Sequence, residues 1–361
     1  MKKALIAMSG GVDSSVAALL MKESGWACMG VTMKLYEADT ACLTCRTNTC
    51  CSLEDVEDAR NVAFRLDMPY RVFNFTADFE DQVIRPFVSA YESGITPNPC
   101  IDCNRYLKFD KLYRRARELA YDAVVTGHYA RIEQHPDTGR YLLKKALDGA
   151  KDQSYVLYML TQEQLRHTRF PLGGLRKEEV RHRAEAHGFL NARKPDSQDI
   201  CFVPDGDYAS FLRRYTGKHF PPGDFVDVQG RVLGRHRGII HYTVGQRRGL
   251  GIAHETPLYV CAISPEQNLV TLGPREALFA PALLAGKLNL ISEERLSAPL
   301  RCSVRIRYRQ QEQPAVITQL DENTIRVEFD RPQRAVAPGQ AVVFYDGDTV
   351  VGGATILSAI I

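Results

Sequence analysis

Apolar and polar positions along the first 130 residues switch repeatedly between two periods. Ala4–Met8 is an unbroken apolar run closed by Ser9-Gly10-Gly11, the signature of a short buried strand. Ser14–Glu23 reads as a helix and Ala27–Leu35 as a second strand. Ser52-Leu53-Glu54-Asp55 has capping-box spacing and opens a helix to about Leu66. Tyr70–Phe75 is a third strand, helices follow near Phe79–Tyr91 and over Asn104–Ala120, and Asp122–Thr126 is a fourth strand ending in Gly127-His128. Such alternation predicts an α/β unit, a parallel sheet with helices on both faces.

The texture changes after about residue 205. Pro221-Pro222-Gly223 marks a turn, and Val226-Asp227-Val228 and Leu258–Ser264 read as short strands. Alternating runs at Ser303–Arg309, Ala315–Leu320 and Thr324–Glu328 predict an antiparallel β barrel. Three domains are expected: 1–205 catalytic, 206–280 small, central and β-rich, and 281–361 the C-terminal barrel.

Composition narrows the class only coarsely. With 45% hydrophobic and 25% charged residues, a packed core is available. The apolar run after Met1-Lys2-Lys3 is too short for a secretory segment, and none spans a bilayer. A cytoplasmic protein without a membrane partner is expected. A net charge of +3 does not by itself predict nucleic-acid binding. Ten cysteines in 361 residues are too few for a disulfide scaffold, so their clustering points to metal or catalysis.

Ser9-Gly10-Gly11-Val12-Asp13-Ser14-Ser15 joins a strand to a helix. Two glycines let the backbone turn tightly, leaving N–H groups and a helix N-terminus to cradle phosphate. The hydroxyls of Ser9, Ser14 and Ser15 can add hydrogen bonds, and Asp13 can hold Mg²⁺. The lysine of a Walker loop and the G-x-G-x-x-G spacing are both missing. A bare Gly-Gly would be only a tight turn. The whole string resembles the PP-loop of the ATP pyrophosphatases, which cleave ATP between the α and β phosphates.

Cys103 follows Thr96-Pro97-Asn98-Pro99-Cys100-Ile101-Asp102 just before a predicted helix, with Arg105 and Lys108 nearby. A helix N-terminus and positive charge favour a thiolate, which makes Cys103 a candidate nucleophile. Cys201 lies in the polar segment Asp196-Ser197-Gln198-Asp199-Ile200-Cys201-Phe202. A lone cysteine is more often a buried small hydrophobe, as expected for Cys28, Cys261 and Cys302 in strand-like runs.

With these strings in view, the chain resembles the tRNA-specific 2-thiouridylases over nearly its whole length. The resemblance rests on the PP-loop, Cys50-Cys51-Ser52, Thr96–Phe109, Thr126-Gly127-His128-Tyr129 and Lys151-Asp152-Gln153-Ser154-Tyr155. Asp196–Phe202, Tyr242–Gly251 and Pro338-Gly339-Gln340 extend it. It implies that ATP adenylates the 2-oxygen of a wobble uridine in tRNA and that sulfur then displaces AMP. Cys201 matches the thiol that carries a persulfide, and Cys103 the nucleophile that releases its sulfur through a transient Cys103–Cys201 disulfide. Ala7, Met8, Ser9, Gly10, Gly11, Val12, Asp13, Ser14, Met33 and Gly127 match ATP contacts. Asn98, Pro99 and Cys100 match the surroundings of the target base. His128, Lys151, Asp152, Gln153, Arg307, Tyr308 and Gln340 match the tRNA surface. A persulfide donor, either a cysteine desulfurase or a sulfur-relay protein, is the implied protein partner.

The chemistry agrees with the match, because a pyrimidine carbonyl oxygen leaves poorly until adenylated and a second thiol can break a persulfide S–S bond. Five arginines and no Asp or Glu lie between Arg231 and Ala253, with Arg247 and Arg248 in a glycine-rich turn. Arg305, Arg307 and Arg309 alternate along a predicted strand, with Tyr308 opposite. Phosphate binding is the functional reading of both, a solvated face the bland one.

Cys42-x-x-Cys45 with Cys50 and Cys51 has spacing that suits Zn²⁺ or an iron–sulfur cluster, against a loop with thiols or a disulfide. Cys100, Cys103 and Cys201 could hold a [4Fe–4S] cluster with one open iron. The preferred reading leaves Cys100 lining the base pocket, where many relatives carry Asp. Two other functions compete: an ATP-dependent amidotransferase or ligase, which would not need the Cys103/Cys201 pair, and a tRNA-binding module, which would not need the intact loop.

Overall fold

The computed structural model describes residues 1–36, 53–196 and 200–361. The cysteines of the first cluster, Cys42, Cys45, Cys50 and Cys51, and the capping residue Ser52 lie outside the described residues. The chain divides into two compact units. The first holds Met1–Ile84, Pro99–Gly206 and Asp348–Val350, and the second Arg85–Asn98, Asp207–Gly347 and Val351–Ile361.

The first unit is built on a five-stranded sheet in the order Tyr70–Asn74, Ala27–Lys34, Lys3–Ala7, Ala123–Val125, Thr168–Arg169. Every neighbouring pair is parallel, as the alternating sequence predicts. The first strand shows why its apolar run is unbroken. Ala4 and Ile6 pack on Val16 and Ala17 of the helix Val12–Glu23. Leu5 points the other way, onto Leu112 and Ala116 of the helix Leu112–Glu118. A strand covered on both faces needs apolar residues at every position. All three of these strand residues are fully buried.

The second unit contains a four-stranded sheet in the order Tyr259–Ser264, Leu269–Gly273, Gly223–Val226, Val232–His236. Its other component is a six-stranded antiparallel barrel. The barrel runs Phe279–Leu290, Ile325–Arg334, Gln313–Gln319, Leu300–Arg305, Ala341–Asp346, Thr349–Ile360. It closes where Ala282 faces Ile360. Leu283, Val304, Ile317, Val327 and Phe344 fill it, each the inward member of an alternating strand.

Several elements differ from their sequence readings. Val226-Asp227-Val228 is not a strand: the strand ends at Val226 and the chain turns. The Asp227 carboxylate accepts from the N–H groups of Gln229 and Arg231, and Gly230 supplies a φ of +84°. The strand expected to reach Arg309 stops at Arg305. Arg305 is half-buried, pairs with Glu312 at 2.8 Å and lies 4.9 Å over the Tyr345 ring, so the alternating arginine face is not a free basic stripe. The hairpin of Arg131–Gln134 with Tyr141–Lys144 has no counterpart in the sequence reading.

Candidate functional site

Strand order alone says where the first unit can bind a ligand. From Lys3–Ala7 the chain moves to one side of the sheet, and it returns to place Ala123–Val125 on the other. Ligands of open parallel sheets lie at such a switch point, beyond the carboxyl ends of the two central strands. Those ends lead into Met8–Ser15 and Thr126-Gly127-His128.

The two loops touch, and glycine is what lets them. A Cβ on Gly127 would stand 2.7 Å from the Ser14 nitrogen and 2.8 Å from the Asp13 carbonyl carbon. One on Gly10, whose φ is +73°, would stand 2.5 Å from the Asp55 carbonyl oxygen. Both obstacles are backbone and cannot swing aside. Gly127→Ala is therefore expected to displace the loop, destabilise the protein by about 1–3 kcal/mol and raise the dissociation constant for ATP. Thermal unfolding and calorimetric titration check both effects.

Gly11 is the N-cap of the helix Val12–Glu23 and supplies no side-chain cap. The first-turn N–H groups therefore have no intrahelical partner and face the strand ends, which suits a phosphate. The Ser14 and Ser15 hydroxyls have partners within the protein. Ser14 and Ser15 each donate to the Gly11 carbonyl at 3.0 Å, and Ser14 Oγ also accepts from the Ser9 N–H. Ser15 is fully buried and accepts from Asn191 Nδ2 at 2.9 Å. Asn191 donates to the Gly10 carbonyl as well, at 2.8 Å. These hydroxyls shape the loop and are not aimed outward.

Asp13 is set by residues the sequence reading did not single out. Lys177 Nζ lies 2.8 Å from each carboxylate oxygen, and the Tyr129 hydroxyl donates to Oδ1 at 2.8 Å. Burial and the neighbouring Asp13 charge push the Tyr129 phenol far above its ordinary range, so it stays a donor. The Asp13 side chain keeps about a third of its surface open, and a hard oxygen ligand there fits Mg²⁺.

Cys103 does not stand at the start of its helix. The helix opens at Pro99, whose fixed φ suits the first helical position, so Cys100 lies in the first turn and Cys103 one turn in. A π-helical stretch runs from Cys103 to Lys111, a wide-turn geometry found often at functional sites. Cys201 is half-buried, and its carbonyl accepts from the Tyr36 hydroxyl at 3.0 Å. Phe202 packs edge-on against fully buried Phe79 at 5.6 Å. The helix Thr76–Phe79 also packs on the Cys103–Lys111 stretch, so both thiol segments share one neighbour. Among the described residues no group of three or more His, Cys, Asp or Glu is placed to hold a metal, and Cys100, Cys103 and Cys201 do not form one.

Residues 2–205 match the family described as tRNA methyl transferase HUP domain. Residues 209–274 match its PRC-barrel domain and 281–356 the aminomethyltransferase beta-barrel domain. The tRNA-specific 2-thiouridylase MnmA of Clostridioides difficile is 50% identical over 355 residues, 98% of each chain. That of Lachnoclostridium phytofermentans is 50% identical over 357 residues, 99% of this chain and 100% of its own. That of Geotalea uraniireducens is 50% identical over 361 residues, 99% and 96% of the two chains. The chain belongs to the tRNA-specific 2-thiouridylase family.

Two of the positions expected at a tRNA surface, His128 and Asp152, are buried in this fold. His128 is buried, its Nδ1 2.7 Å from Thr126 Oγ1, and burial with nearby Lys108 holds its pKa well below the usual imidazole range. Asp152 is buried and accepts from the N–H groups of Ala146 and Ser154 and from the Ser154 hydroxyl. Gln153 exchanges hydrogen bonds with the Tyr129 backbone. In the second unit, Arg307 donates to the carbonyls of Ala335 at 2.9 Å and Val244 at 3.3 Å. Gln340 donates to the carbonyls of Thr96 and Pro97. All of these side chains except His128, which meets a side-chain hydroxyl, bond to backbone groups in this structure. Of the basic strip, Arg231 pairs with Asp227 at 2.6 Å, whereas Arg247 and Arg248 are exposed and have no carboxylate partner among the described residues. No described helix is long and apolar enough to cross a membrane.

Proposed function

We propose that the protein converts a wobble uridine of tRNA to 2-thiouridine, using ATP to make the 2-oxygen a leaving group. The observation that carries this reading is the intact phosphate loop in one unit with the Cys103 and Cys201 segments, in a chain half identical to 2-thiouridylases from end to end. The loop N–H groups bind the phosphates, and Asp13 is the residue that would hold Mg²⁺. The uridine 2-oxygen attacks the α-phosphorus and pyrophosphate departs. The terminal sulfur of a Cys201 persulfide then attacks C2, and AMP leaves with the old oxygen. Cys103 attacks the Cys201 sulfur, which frees 2-thiouridine and leaves a Cys103–Cys201 disulfide for an external thiol to reduce. The base must leave its stack to meet these groups, and Asn98, Pro99 and Cys100 belong to the segment that receives it. A persulfide-bearing donor protein reloads Cys201, and the reaction is cytoplasmic.

Methyl transfer, the wording of two of the matched family descriptions, would leave the Ser9–Ser15 loop without a task. An ammonia-using ligase would do the same for the thiols. Mass spectrometry of tRNA incubated with the protein, Mg-ATP and a persulfide donor separates these readings. Thiolation gives 2-thiouridine together with AMP; a methylated or aminated base would overturn the proposal.

Exposed Arg247 and Arg248 are proposed phosphate contacts. Replacing both with Ala is expected to weaken tRNA binding about tenfold and flatten the log–log salt slope by about 1.5, as two fewer phosphates are neutralised. Filter binding across a salt series checks this.

A further inference from the structure

The ion pairs around Asp13 continue beyond the phosphate loop. Lys177, nine-tenths buried, reaches Asp196 Oδ1 at 2.6 Å as well as both oxygens of Asp13. Lys151 meets the other Asp196 oxygen at 2.8 Å. The result is a chain of alternating charge, Asp13–Lys177–Asp196–Lys151, with Arg181 3.8 Å from Asp196 Oδ1 as a third, more distant positive group. Buried charges persist when they compensate one another in this way. Burial alone would raise the Asp196 carboxyl, but hydrogen bonds from Lys151 and Lys177 outweigh it and hold the group below the usual carboxylate range.

Lys177 is not free to wander. Its N–H donates to Asp148 Oδ2 at 3.0 Å, and Arg176 before it donates its N–H to Glu179 at 2.7 Å. The ammonium is therefore presented from a fixed helix start. The two carboxylates it joins have different affiliations. Asp13 belongs to the phosphate loop, and Asp196 precedes Cys201 by five residues. Beyond Cys201, the Tyr36 hydroxyl and the Phe79 ring anchor its carbonyl and Phe202. Asp196 before Cys201, the Cys201 carbonyl and Phe202 after it are thus each held.

We infer that Lys177 is a positioning residue for sulfur transfer, tying the phosphate loop to the segment that carries Cys201. The inference rests on the thiolation reading above. Sulfur must reach C2 while AMP is still attached to the base, and the tie keeps the two ends of that displacement in one geometry. Without it, water attacks C2 in place of sulfur, restores uridine and releases AMP. ATP is then consumed without thiolation.

The test compares full-length wild type, Lys177→Met, Lys177→Arg and Asp196→Asn. Asp196→Asn leaves the pair of Asp13 with Lys177 intact, so it serves even where Lys177→Met fails to fold. Two quantities are read: AMP formed per 2-thiouridine, and the rate at which iodoacetamide alkylates Cys201 in the protein without ligands. Wild type is expected to form one AMP per 2-thiouridine. Lys177→Met and Asp196→Asn are expected to release about tenfold more AMP per 2-thiouridine, since a misplacement of about 1 Å can cost on the order of 100-fold. Their Cys201 is expected to alkylate several-fold faster, and Lys177→Arg to restore both values towards wild type. An Asp196→Asn protein with the wild-type ratio and alkylation rate would overturn the inference. A wild type that forms no 2-thiouridine would instead overturn the thiolation reading, and the inference with it.

Discussion

Cys201→Ser is expected to stop 2-thiouridine formation by at least about 10³-fold, because a serine hydroxyl cannot carry a persulfide and no other group replaces a lost nucleophile. Adenylation should survive. Cys201 stands outside the phosphate loop, and its backbone is held by Tyr36 and its neighbour Phe202 by Phe79, contacts that serine leaves in place. Exchange of labelled pyrophosphate into ATP in the presence of tRNA should continue. Cys103→Ser is expected to fail at a different point, after sulfur has reached the base, so tRNA should accumulate joined to Cys201 through a disulfide. Non-reducing gels of the two variants with loaded donor distinguish them. A Cys201→Ser protein that thiolates tRNA normally would remove the persulfide from the mechanism.

Asp13→Asn is expected to lower AMP formation by on the order of 10²-fold or more, the scale of losing one preorganised electrostatic group at a phosphoryl centre. Asparagine keeps the shape and can still accept from Tyr129, but it no longer balances Lys177. The affinity for tRNA should hardly change, because Asp13 belongs to the nucleotide loop. A rapid-quench assay of AMP release beside a tRNA titration gives both numbers. Normal AMP formation would take Asp13 out of the chemistry.

The contrast between Asp13 and Lys177 shows how much of the site was legible in the sequence. Ala4–Met8, Ser9–Ser15 and Gly127 are local signals: an apolar run, a turn that needs glycine, and a strand end. Each could be read where it stands. Lys177 could not, because it opens Lys177-Glu178-Glu179, a string that looks like any solvated helix start, and meets Asp13 across 164 positions. Asn191 reaches the loop from 181 positions away and is equally silent in sequence. Residues of this kind acquire their role only when the sheet brings distant loops to one switch point.

The second unit shows the same limit in the opposite sense. The alternation that marked Leu300–Arg305 as a barrel strand was legible, but its continuation to Arg309 was not interrupted by any turn residue. Only the pairing of Arg305 with Glu312 and the Arg307 bonds to Val244 and Ala335 reveal that two of the three arginines are engaged within the protein. Likewise the π-helical stretch from Cys103 has the same apolar period as an ordinary helix, so the sequence gives no notice of it. Pro99, where the helix leading into it opens, was the one readable clue.

The central claim is that AMP departs with the oxygen that sulfur replaces. It is tested most directly with tRNA whose wobble uridine carries oxygen-18 at position 2, incubated with the wild-type protein, Mg-ATP and a persulfide donor. The account predicts heavy oxygen in the phosphate of AMP, one labelled AMP for each 2-thiouridine formed. Formation of 2-thiouridine with unlabelled AMP, or with the label released to water, would contradict it.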